Sequence, residues 1–158
     1  MKNLLFVAMG IGMMAFAQNA QAPQKRLQPQ EIQWPKTSGP LTGTSGVSGL
    51  QTIVLKGDAS KPGLYTIRLR LGPNTKIQPH SHRDDRVGTV ISGTWYFGYG
   101  REFSESALKA LPPGSFYTEP PGVTHFAMTK EEVVVEVTGI GPSDTNYVDP
   151  RNDPNRKN

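Results

Sequence analysis

The chain contains no cysteine among its 158 residues. Disulfides, thiolate catalysis, zinc fingers and iron–sulfur ligation by protein thiolates are thereby excluded. Histidine is almost as scarce, with three in all. Charged residues make up only 19% and the formal net charge is +4. No run of five or more Lys/Arg concentrates that excess, so a nucleic-acid partner is not expected. No G-x-S-x-G, P-loop or G-x-G-x-x-G occurs. Long helical stretches are missing as well. The chain has 17 Gly and 14 Pro, the punctuation of many turns, which argues against a helix bundle or coiled coil. A hydrophobic content of 35% is adequate for one small β-rich domain with tails.

The N-terminus reads as an export signal over residues 1–17. Lys2 supplies a positive start, Leu4 to Phe16 an apolar run of 13 residues, and Ala15-Phe16-Ala17 a small-x-small cleavage site. The run is short for a membrane span. No cysteine follows it for lipid attachment, so no stable membrane anchor is expected after cleavage. The expected location is periplasmic or secreted.

Residues 18–48 are rich in Gln, Pro, Ser, Thr and Gly and read as a flexible or extended arm, with Trp34 as an anchor on the body. Residues 49–141 hold eight strand-like runs: 51–55, 64–71, 76–82, 87–91, 94–99, 115–118, 124–128 and 133–137. One helical turn is expected over Ser104–Leu111, with Ser104 as cap and Leu108 and Leu111 on one face. Residues 142–158 read as a C-terminal tail. About eight short strands with one helical turn predict an all-β sandwich or barrel.

The three histidines are His80, His82 and His125. Two residues apart on a strand, His80 and His82 project from one face, close enough to share a metal ion. A third ligand must come from another strand, and His125, leaving the Pro120-Pro121-Gly122 turn, is the remaining imidazole. Each histidine taken alone reads as an ordinary surface or core residue. With all three in one cluster, a separate Ser-His-Asp triad has no base.

The spacing resembles the cupin superfamily. Its first motif, G-x5-H-x-H-x3,4-E-x6-G, is matched by Gly72, His80, His82, Arg86 and Gly93, with a first gap of seven residues in place of five. Its second, G-x5-P-x-G-x2-H-x3-N, is matched by Gly114, Pro120, Gly122, His125 and Thr129, with every gap correct and Thr129 in place of Asn. The resemblance covers residues 50–140 and implies a double-stranded antiparallel β-barrel of the cupin or jelly-roll type. It puts all three histidines on ligand positions for a divalent transition metal, whether iron, manganese, zinc or nickel. Cupin barrels often dimerise by strand exchange, and residues 18–48 could serve as the exchanged arm of a homodimer.

One departure stands out. The carboxylate position of the first motif holds Arg86. A guanidinium about 5 Å from a dication is repelled by roughly 6–7 kcal/mol at an effective dielectric near 20, so an anion must lie nearby. Glu136 is the expected partner, pointing into the barrel from the last strand; otherwise Glu136 faces solvent and Arg86 reaches the barrel mouth to hold a substrate anion. Thr129 joins them as a residue around the site. Asp84 and Asp85 are weaker ligand candidates, read as turn residues. Three functions follow: a metal-dependent, dioxygenase-type enzyme acting on a small chelating or anionic substrate, a non-catalytic module for a small molecule or metal, or a metal-free barrel.

Overall fold

The computed structural model describes residues 23–36 and 41–156. The expected signal segment 1–17 lies outside them. Residues up to Ile32 form a separate unit, whose one regular feature among the described residues is the 3-10 turn Pro29–Glu31. Everything below concerns the unit from Gln33 onward.

That unit is all-β. Its strands are β1 (Gln51–Lys56), β2 (Gly63–Leu71), β3 (Lys76–Ser81), β4 (Arg86–Ser92), β5 (Trp95–Tyr99), β6 (Lys109–Leu111), β7 (Phe116–Glu119), β8 (His125–Met128), β9 (Val133–Gly141) and β10 (Asn146–Tyr147). They form two antiparallel five-stranded sheets, β1-β2-β9-β4-β7 and β10-β3-β8-β5-β6. Apart from β1/β2 and β5/β6, every consecutive pair of strands lies in different sheets, so the chain crosses repeatedly between them and the sheets face each other as a jelly-roll sandwich. The hydrogen-bonded ladders do not close into one barrel.

The inner faces follow from alternation. Val133, Val135 and Val137 of β9 are at most 1% exposed, and Tyr65, Ile67 and Leu71 of β2 lie beside them. Trp95, Phe97 and Ala127 complete the core from the other sheet. Each fully buried valine or larger side chain contributes about 1.5–3 kcal/mol. Gly88 of β4 pairs across the ladder with Tyr117. A Cβ at Gly88 would come within 2.1 Å of the Tyr117 ring, so the ring is laid over bare backbone.

Three expectations need correction. Ser104–Leu111 is not a continuous helix: a 3-10 turn over Glu105–Ala107 gives way to β6, because Leu111 pairs with Trp95 in the sheet. Residues 143–147 are not a free tail: β10 pairs with β3, and the Ser143 side chain is buried against Asp84. Glu136 does not enter the sandwich. Its parity on β9 is opposite to that of the buried valines, and it faces Arg68 across the ladder, with Arg68 Nη2 donating to Oε2 at 2.6 Å. Trp34 meets the body as expected, with the Arg70 guanidinium 4.4 Å from its ring centroid.

The β9 parity gives a direct test. Glu136→Ala removes a partly exposed ion pair on the outer face of the sheet and should cost about 1 kcal/mol or less. Val135→Ala, one residue away on the buried face, should cost about 2 kcal/mol. Urea unfolding of the two variants measures the difference, and equal losses would contradict the assigned faces.

Candidate metal centre

β3 and β8 bring the histidines together. His80 stands opposite His125 in the β3–β8 ladder, after a register shift between Ile77 and His80. Pro79, which cannot donate to a ladder, sits in that irregularity. The shift matters for parity. Ile77 is buried on the inner face, and strict alternation would then have turned His80 outward. His82 lies just past the end of β3, tied to the turn before β8 by the Gly122 amide donating to its carbonyl at 2.7 Å.

All three rings are buried, between 1% and 4% exposed, with centroids 4.5–5.2 Å apart. Each Nδ1 donates to a main-chain carbonyl: His80 to Gln78 at 2.8 Å, His125 to Val123 at 3.1 Å, and His82 to Asp144. Those bonds fix the tautomer and leave the Nε2 lone pair of each ring open. One ring nitrogen from each histidine lies within 4.8 Å of the other two. The Nε2 atoms of His82 and His125 are buried without any hydrogen-bond partner. Buried polar atoms are rarely left unpaired. A neutral, pre-oriented trio of imidazoles is the donor set a divalent transition metal takes.

Burial holds the rings neutral. It pulls His80 down to about 3, with further depression from His125. It lowers His82, with Arg86 adding to the effect, and it lowers His125 against the opposing pull of Glu119.

Arg86 is indeed inside, 4% exposed, at the start of β4. Its partner is Glu119, directly across the β4–β7 ladder. Nε donates to Glu119 Oε2 at 2.7 Å and Nη2 donates to the same oxygen. Burial is the largest single effect and would raise the Glu119 carboxyl, but Arg86, with smaller help from His125 and His82, holds the group at about 2. Nη1 of Arg86 donates to the carbonyl of Gly43, so the segment 43–45 covers the pocket. Thr145 and Tyr147 hold that segment by donating to the carbonyls of Thr44 and Ser45 at 2.9 and 2.7 Å. Gly43 is needed there: its φ is +77°, and a Cβ would lie 2.4 Å from Ser143 Oγ.

Glu119 was not anticipated from the sequence. The usable signal was its parity with Tyr117 on a strand that begins with exposed Phe116. Of the other candidates, Thr129 sits beyond the far end of β8 from His125. Its hydroxyl donates to the Gly72 carbonyl and accepts from the Thr75 amide, so it closes a turn. Asp84 is buried but accepts from the Tyr65 and Ser143 hydroxyls, both at 2.6 Å, and Asp85 is exposed.

Two measurements check this arrangement. Glu119→Ala strands the Arg86 charge and should cost about 3–5 kcal/mol, whereas Arg86→Met with Glu119→Leu should recover much of it. A single variant as stable as wild type would refute the pairing. The histidines set the pH dependence. Their folded values lie below the ordinary 6.5, so the unfolded chain binds protons that the native state refuses. Stability of the metal-free protein is full above pH 6.5 and falls as pH drops from there toward 3. Glu119, held below its ordinary 4.5, adds a loss in the same direction between 4.5 and about 2. Unfolding midpoints at pH 7.5, 6 and 5 should decline in that order.

No family model matches the chain, and no curated protein resembles it significantly. Solved structures do. The polyketide cyclase RemF from Streptomyces resistomycificus superposes with a TM-score of 0.63 at 17% identity, over 84% of this chain and 90% of that one. An RmlC-like cupin from Shewanella frigidimarina gives 0.54 at 17%, over 75% and 91%. Salicylate 1,2-dioxygenase from Pseudoaminobacter salicylatoxidans, with gentisate, gives 0.53 at 16%, over 63% of this chain but only 29% of that one. At such identities the likeness is one of fold, and with two facing antiparallel sheets and an inward histidine trio the chain has the fold of the cupins.

Proposed function

We propose that this chain is an exported cupin that holds one divalent transition metal at His80, His82 and His125 and receives a small anionic or chelating molecule there. The observation that carries the reading is the pair of buried, unpartnered Nε2 atoms beside a third open imidazole. The three rings are neutral, and the charges of Arg86 and Glu119 cancel. A bound dication would therefore keep its charge, which favours anionic ligands and would supply Lewis-acid polarisation of a chelated oxygen.

Within this fold, the likeness to a salicylate dioxygenase favours oxygen-dependent chemistry on a chelating substrate, for which iron is the metal of choice among those a histidine trio takes. A binding module without turnover is the second reading. What favours it is the small cavity beside the histidines, about 30 Å³, room for roughly one water. Any larger ligand needs residues 43–45 to move off Arg86. The chain's own part in either reading is to orient the three rings through their Nδ1 bonds, to exclude water with the 43–45 segment, and to present Trp95, whose buried ring N–H has no partner, in the pocket wall.

Elemental analysis of protein recovered from its own compartment tests the metal. About one equivalent per chain is expected, and His82→Ala should lose most of it. Equal metal in both would refute the site. Oxygen uptake by the iron-loaded protein with catechol- or salicylate-type chelators separates enzyme from binding module. Intact mass of the recovered protein should start at Gln18 if residues 1–17 are the signal.

A further inference from the structure

The position that would carry a metal-binding carboxylate on β4 carries Arg86, and an acid faces it from the neighbouring strand. The Oε2 atom of Glu119 lies 3.7 Å from His82 Nε2 and 3.6 Å from His125 Nε2. Both distances are too long for hydrogen bonds. Two donors bound to one ion at about 2.1 Å sit about 3.0 Å apart at a right angle and about 3.4 Å apart at the tetrahedral angle. The spacing of Glu119 to the two rings is thus close to that of groups sharing one ion. Both nitrogens it faces are buried and unpartnered.

We infer that Glu119 is a metal ligand, so that the carboxylate of the site comes from β7 and not from β4. This rests on the metal reading given above. The ladder makes the exchange possible, since Arg86 and Glu119 are direct cross-strand partners with both side chains inward. A carboxylate offers about four lone-pair sites. The two guanidinium bonds both fall on Oε2. A rotation of the carboxyl group lets one oxygen keep Arg86 while the other meets the ion. Arg86 then acts as a positioning residue that orients the ligand, and Glu119 is the anion that lets a guanidinium stand beside a dication.

The test is a crystal structure of the zinc-loaded full chain, with the ion located at the zinc absorption edge, together with zinc affinities from chelator competition. An oxygen of Glu119 at about 2.0–2.2 Å from the ion is expected. Glu119→Gln should weaken zinc binding by more than about 100-fold while His82→Ala abolishes it. Zinc held by the three imidazoles with both Glu119 oxygens beyond about 3 Å would overturn the assignment and leave the three-histidine reading standing. Should wild type bind no zinc, iron or manganese at all, both readings fall. The wild-type structure decides the matter even where Glu119→Gln does not fold.

Discussion

The ion pair between Arg86 and Glu119 is the constraint around which the interior is arranged. Both groups are about 95% buried, on adjacent strands of one sheet. Neither charge could be there alone, because an unpaired buried ion costs several kcal/mol. Together they occupy the space between the aromatic floor, Tyr117 and Phe97, and the covering segment 43–45. The third donor of the guanidinium reaches the Gly43 carbonyl, so the pair also fastens the cover. Segment 43–45 is in turn held by Thr145 and Tyr147, and the carbonyl of Asp144, just before them, accepts from His82. One network therefore links the charged pair, the cover, the C-terminal strand and one histidine ring.

That network explains why so much polarity is tolerated in a small sandwich. A half-satisfied polar cluster is worse than an apolar core. Here each Nδ1, the guanidinium and the Asp84 carboxylate have named partners. Among the described residues, the buried side-chain atoms left over are Nε2 of His82 and His125, the Trp95 ring N–H and the Thr52 hydroxyl. Two of those four are histidine nitrogens of the candidate metal centre, and Trp95 lines the pocket beside it. The incompleteness is concentrated where a ligand would remove it, a pattern expected of a binding site and not of a packing fault.

Much of this was legible in the sequence. The turn residues delimited eight strands to within a few positions, and the motif spacing put His80, His82 and His125 together. What was not legible has physical causes. The shift between Ile77 and His80 resets the alternation, and no local pattern announces a bulge except Pro79. Leu111 follows a cap-like serine, yet cross-strand pairing with Trp95 outcompetes a short helix, which is marginal in isolation. The expected partner of Arg86, Glu136, lies on β9, which is a true neighbour of β4. Parity decides otherwise: the inward positions of β9 are Val133, Val135, Val137, Gly139 and Gly141, with Gly139 opposite Arg86, and Glu136 takes the outer face with Arg68. Strand β7 is the other neighbour of β4, and its inward position at that level is Glu119.

The position of the acid changes the electrostatics of the pocket in a way that its presence alone does not. With a carboxylate on β4 and no arginine, a bound dication would see one negative ligand and the site would carry +1. With the acid on β7 and Arg86 on β4, the pair sums to zero and the site keeps +2. The added charge sits within a low-dielectric wall of Leu69, Leu71, Trp95 and Phe97, where it is poorly screened. On the function proposed above, an anionic ligand entering beneath segment 43–45 would be favoured by both the ion and the guanidinium, and it would compete with the Gly43 carbonyl for the Arg86 donor.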